Sequence, residues 1–102
     1  MTHSLILEPP AQADIETAIV WYDEQRLGLG DRFRDELYGL LTRIRDRPGS
    51  FPALVQPIRR GLLRKFPYSV YFVLDATSVS VIAVLHQRRD PSAWQTRLDA
   101  GR

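Results

Sequence analysis

Residues 58–97 read IRRGLLRKFPYSVYFVLDATSVSVIAVLHQRRDPSAWQTR, and the two apolar runs inside this stretch decide the fold. Tyr68–Leu74 and Val79–Leu85 are almost wholly β-branched, aromatic or leucine, which predicts adjacent central strands joined through Asp75-Ala76-Thr77-Ser78. A hairpin of that kind brings its far ends together. Arg59, Arg60, Arg64 and Lys65 before the first strand are therefore expected beside His86, Arg88 and Arg89 after the second. Like charges gathered this closely repel unless an anion or an acidic partner offsets them, so this sheet end is a candidate anion-facing site.

The flanking sequence completes the architecture. After Pro52 the pattern turns extended: Ala53–Ile58 reads as an edge strand, the one place in a sheet where Pro57 is tolerable, and Gly61–Phe66 as a further short strand bent at Pro67. Beyond the hairpin, Asp90-Pro91-Ser92-Ala93-Trp94 has the form of an N-cap followed by proline at the first helical position. It opens a short terminal helix, with Trp94 expected to pack that helix onto the sheet.

Upstream, His3–Glu8 reads as a short strand stopped by Pro9-Pro10, which also launch a helix. Ala11, Ile15, Ala18, Ile19 and Tyr22 hold helical spacing, and Asp14 and Glu16 are expected near the positive end of that helix's dipole. Gly28 and Gly30 end it. Phe33, Leu37, Leu40, Leu41 and Ile44 form a second stripe, closed by Pro48-Gly49, so the two helices read as a hairpin whose shared apolar face must pack against a sheet. The result is a single α+β domain over residues 1–102: an N-terminal strand, a helical hairpin packed on an antiparallel sheet, and a short C-terminal helix.

Composition narrows the function classes. A chain of 102 residues with 44% apolar content is long enough to bury a core without staples. It has no cysteine, which excludes disulfides and thiolate metal sites and suits a cytoplasmic location. Its longest pure aliphatic run, Val81–Leu85, is far too short to cross a bilayer, and the N-terminus lacks the form of a signal peptide, so a soluble, unprocessed protein with no membrane partner is expected. No metal or organic cofactor is suggested. The net charge of +2 hides an asymmetry: residues 1–51 carry six Arg against nine Asp and Glu, residues 52–102 eight Arg and Lys against three Asp. The basic character lies in the C-terminal half.

Several short motifs, taken in order, carry a resemblance. Trp21-Tyr22, the GLG of Gly28–Gly30, Phe33, Phe51-Pro52, Arg59-Arg60, the KFPYSVYF of Lys65–Phe72 and the closing VLHQRRDP together resemble the RelE/ParE superfamily of bacterial toxins over nearly the whole chain. That resemblance implies the toxin of a type II toxin-antitoxin module of the plasmid-stabilisation kind, which inhibits growth and is neutralised by a small antitoxin. The antitoxin would fold on binding, lay an amphipathic segment across the apolar surface between helical hairpin and sheet, and pair acidic side chains with the arginines.

The superfamily has two modes of action. ParE-like members poison DNA gyrase without a catalytic residue set of their own; RelE-like members are mRNA interferases that cleave messenger RNA on the ribosome. Cleavage through the 2′-hydroxyl needs a base, cations for the developing phosphorane charge and an acid for the leaving oxygen. Here His86 is the candidate base or acid, and Arg60, Arg64 and Arg88 the candidate phosphate clamps, with Arg88 about where a RelE-like catalytic arginine falls. The chain departs from the RelE pattern in having Tyr68 where an arginine precedes the penultimate strand, and no tyrosine near the C-terminal sheet end.

Pro67-Tyr68 and the Leu85–Pro91 closure fit the ParE-like branch more closely. On that reading Arg59, Arg60, Arg64, Lys65, Arg88 and Arg89 bind the target, and gyrase poisoning leads over RNA cleavage, with a degenerate antitoxin-binding domain as a further alternative. The duller readings are a backbone-bonded His86, Asp90 as a helix cap, and Arg43, Arg45 and Arg47 as a solvated helix end. Trp21 either broadens the first helix's stripe or faces a partner.

Overall fold

The computed structural model describes residues 3–89 and 92–100. The chain runs β1 (Ser4–Leu7), α1 (Pro9–Gln25), α2 (Leu29–Asp46), a 3₁₀ turn (Pro48–Ser50), β2 (Ala53–Val55), β3 (Ile58–Leu62), β4 (Tyr68–Leu74), β5 (Ser78–His86) and α3 (Ser92–Ala100). The strands form one five-stranded sheet in the order β1-β5-β4-β3-β2. β2 to β5 are antiparallel as expected, and β1 joins β5 in parallel, which makes the sheet mixed.

The junction between α1 and α2 depends on its glycines. Gly28 has φ +90°, a left-handed conformation that a Cβ disfavours. At Gly30, in the first turn of α2, a Cβ would lie 2.7 Å from the Ile19 carbonyl oxygen and 2.8 Å from the Asp23 carboxyl. The close approach lets the Gly30 N–H donate to Asp23 at 2.8 Å, which ties the two helices together. Their facing stripes, Ala11, Ile15, Ala18 and Tyr22 with Phe33, Leu37, Leu40, Leu41 and Ile44, are buried against Val70, Phe72, Val79, Val81 and Val84 of the sheet.

The other sheet face is covered too. Ile58, Tyr71, Ile82, Ala83 and Leu85 form a second cluster with Trp94 of α3, whose ring stacks on Tyr71 at 5.6 Å. Two covered faces account for the near-continuous apolar runs of β4 and β5. A β-bulge opposite Tyr71 and Phe72 inserts Ile82 and resets the alternation of β5, so Val81 and Val84 face the hairpin whereas Ala83 and Leu85 face α3.

β1 stops covering β5 at Val81, and the exposed β5 edge is served by side chains instead. Asp14 accepts the Val84 N–H at 3.0 Å and a two-pronged ion pair from Arg97 at 2.7 and 2.9 Å. Arg97 also donates to the Ile82 carbonyl at 3.2 Å. Asp14 is thus the clasp between α1, β5 and α3, not the dipole-capping acid expected; the first turn of α1 carries no acid. The Ala53–Ile58 expectation is also corrected. Pro57 has no N–H to donate and sits in the turn between β2 and β3, behind a cis Gln56–Pro57 bond, so one long edge strand becomes two short ones. The strand expected over Gly61–Phe66 is accordingly β3, four residues earlier at its end.

Candidate functional site

The strand register divides the expected cationic cluster. Tyr68 lies opposite His86, Arg60 opposite Tyr71 and Arg59 opposite Phe72, so the two β3 arginines stand about 10–14 Å along the strand from His86. Opposed residues share a face. Arg59 therefore points to the hairpin side, where its guanidinium donates to the Phe51 carbonyl at 2.6 Å and holds the β2 loop. Arg60 lies half-buried on the α3 face beside Tyr71 in register.

The residues that do meet are those of the two turns. The Gln87 N–H donates to the Pro67 carbonyl at 2.7 Å, which places the β3–β4 turn bearing Arg64 and Lys65 against the β5 exit bearing Arg88 and Arg89. All four basic residues are exposed, and among the described residues none has an ion-pair partner. Asp90 and Pro91 lie outside the described residues.

Glu36 fixes this turn from 28 residues away, a separation that no local sequence pattern reveals. Its carboxylate accepts the Arg64 N–H in a short hydrogen bond and the Lys65 N–H at 3.2 Å. Two successive N–H groups form a small anion-binding nest, and filling it from α2 holds both basic residues outward. Next to this turn is a cleft of about 830 Å³. Tyr22, Leu29, Phe66 and Pro67 supply its apolar wall, Arg32, Arg64 and Lys65 its cations, and Asp35 and Glu36 its acids. It lies where helical hairpin and sheet end meet.

The chemistry at the basic end rests on one imidazole. His86 packs edge-on against Tyr68 with ring centres 5.4 Å apart, and its Nδ1 accepts the Arg88 N–H at 3.1 Å. That bond takes the Nδ1 lone pair and leaves Nε2 as the nitrogen open to a substrate. Burial, and then the negative field of Asp14, push the Tyr68 hydroxyl above the ordinary tyrosine range, with Arg89 opposing. Tyr22 is raised likewise, mainly by burial. Both phenols stay protonated at neutral pH, so neither is a base there. Glu36 is committed to the turn. The arrangement offers cations and one imidazole nitrogen; among the described residues, no carboxylate is hydrogen-bonded to that imidazole. Among the described residues, no group of three or more His, Asp or Glu side chains is placed to hold a metal ion. No helix among them is long and apolar enough to cross a membrane.

Comparison with known proteins agrees with this geometry. The family model for the ParE toxin of the type II toxin-antitoxin system parDE matches residues 5–91. The fold is similar to a chain of the chromosomal ParDE toxin-antitoxin system from P. aeruginosa, with a TM-score of 0.74 and 15% identity, covering 83% of this chain and 96% of that one. No curated protein sequence matches the chain. With the matched span running from β1 through the basic end, the chain belongs to the ParE toxin family of type II toxin-antitoxin systems.

Proposed function

We propose that this toxin acts in the cytoplasm by binding DNA gyrase through the basic end formed by Arg64, Lys65, Arg88 and Arg89, and that it does not cut RNA. The observation that supports this reading is the state of His86: its Nδ1 is engaged by the Arg88 N–H, no carboxylate among the described residues bonds it, and the neighbouring phenol is held protonated. Surface cations that have no ion-pair partner among the described residues suit a target whose contact is acidic or carries phosphate. Arg59 is engaged by the Phe51 carbonyl and contributes to the fold more than to the target.

The antitoxin is the removable partner. Its acidic, apolar segment fits the cleft bounded by Tyr22, Leu29, Phe66 and Pro67, with Arg32, Arg64 and Lys65 at the rim. Because that rim shares Arg64 and Lys65 with the basic end, a bound antitoxin covers part of the target surface. Inhibition then follows from simple occlusion.

The direct test adds purified chain to purified gyrase with relaxed plasmid and ATP, and in parallel to ribosomes programmed with a defined message. Loss of supercoiling with accumulation of cleaved DNA, abolished when Arg88 and Arg89 are both alanine, is the expected result. Cut message that disappears with His86→Ala would instead make His86 and Arg88 catalytic and return the RelE-like reading. Inactivity in both assays, with an intact antitoxin complex, would leave a degenerate binding domain.

A further inference from the structure

A second surface lies on the far side of α1, away from the cleft and the basic end. Glu16, Val20 and Glu24 fall at i, i+4 and i+8 and form one row along the helix, with Thr17 and Trp21 as the adjoining row. The buried stripe of Ala11, Ile15, Ala18 and Tyr22 occupies the opposite side. Val20 is 57% and Trp21 51% exposed, and these five residues line a shallow groove of about 360 Å³.

The charges on α1 sort into two kinds. Asp14 is bound by Arg97 and Asp23 by the Gly30 N–H, so both serve the fold. Glu16 and Glu24 have no hydrogen-bond or ion-pair partner among the described residues, and α1 contains no Lys or Arg. Glu24 also sits in the last turn, where a carboxylate opposes the helix dipole. Its position is therefore unfavourable to the isolated helix. Trp21 is not loosely exposed either: its ring meets Tyr22 edge-on at 5.0 Å, and Tyr22 is a core residue. An indole held this way presents a π face at little cost in side-chain entropy on binding.

We infer that the Glu16–Val20–Glu24 row and Trp21 form a docking face for a basic amphipathic helix of a partner protein. Glu16 and Glu24 stand about 12 Å apart along the axis, two turns of a helix, so arginines two turns apart on the partner reach both carboxylates while an apolar residue between them covers Val20. A guanidinium placed over Trp21 adds a cation–π contact. The charge of this face is opposite to that of the basic end, so its partner chemistry is opposite too, and the inference stands independently of the gyrase reading.

The test uses the full chain labelled with 5-fluorotryptophan, whose two tryptophans give two ¹⁹F resonances assigned with Trp21→Phe. The probe is a synthetic helical peptide with two arginines two turns apart and leucine between them; the control replaces both arginines with glutamate. A saturable shift of the Trp21 resonance with the Trp94 resonance unmoved is expected, weakened about tenfold or more by Glu16→Lys with Glu24→Lys and by added salt. The unmoved Trp94 signal reports an intact fold in each variant. Absence of a saturable shift, an equal response to the glutamate peptide, or persistence in the doubly reversed variant overturns the proposal. A Trp21 shift that depends on protein concentration without peptide also overturns it, by assigning the face to a second copy of the chain.

Discussion

Two neighbouring regions, one within β5 and one just past its end, handle charge in opposite ways. At Ile82–Val84 the carboxylate of Asp14 and the guanidinium of Arg97 satisfy each other and the open strand edge between them. Just beyond His86, Arg88 and Arg89 join Arg64 and Lys65 at a surface where no acid is paired with them among the described residues. The first arrangement is closed and belongs to the fold. The second is open among the described residues, and an anion or acidic partner would relieve the repulsion among its cations. Charge alone therefore does not distinguish the two regions; the pairing of that charge does.

The largest expected effect tests the closed side. Asp14→Ala strands Arg97 and the Val84 N–H together, and should cost about 2–4 kcal/mol in chemical denaturation, because removing one member of a largely buried pair leaves the other uncompensated. Arg97→Met should cost less than Asp14→Ala, since its stem still packs while the Val84 N–H keeps its acceptor. Equal, small losses for both would mean the pair is no clasp.

Between the two regions stands Glu36, an acid of the fold that presents two residues of the basic end. Glu36→Gln should lower stability by about 1 kcal/mol through weaker acceptance of the Arg64 and Lys65 N–H groups. Antitoxin affinity should fall with it. An unchanged affinity would separate the turn from the cleft.

On the open side the pattern reverses. Arg88→Ala with Arg89→Ala should change stability by no more than about 0.5 kcal/mol, yet abolish growth inhibition. A marked loss of stability there would show that these cations are structural after all.

The smallest effect is a pH dependence away from both regions. Asp75 is held below the ordinary aspartate range by the N–H groups of Thr77 and Ser78 and by the Ser78 hydroxyl. A depressed carboxyl adds stability that is present above its unfolded pKa and lost as pH falls through the folded value. The β4–β5 turn should therefore loosen only in acid, and Asp75→Asn should remove that dependence. At the alkaline end Tyr22 and Tyr68 act with the opposite sign. Their raised values add stability that is full below the unfolded tyrosine pKa and fades as pH rises through the folded one.

Periodic features of the sequence carried most of the fold. The α2 stripe from Phe33 to Ile44 and the β4 run Tyr68–Leu74 are found as read, because a regular apolar period has one good way to be buried. The edge was harder. Pro57 fits either an edge strand or a turn, and the pairing of Val55 with Ile58 between β2 and β3 places it in the turn. Distance in sequence hid the rest: Asp14 and Arg97 are 83 residues apart, and Glu36 meets Arg64 across 28. Hairpin logic did bring Arg64 and Lys65 to the β5 exit. It failed for Arg59 and Arg60, because β3 runs antiparallel to β4 and carries those two residues back along the sheet.

On the proposed reading, an open basic surface, and not a nuclease centre, stops growth. The most direct test of that reading induces the chain in bacteria without antitoxin and pulse-labels DNA and protein synthesis over the same minutes, alongside His86→Ala and the Arg88→Ala, Arg89→Ala pair. Early arrest of DNA synthesis with double-strand breaks, retained by His86→Ala and lost with the paired arginines, is the predicted result. An immediate halt of translation with cut messages, lost with His86→Ala, would contradict it.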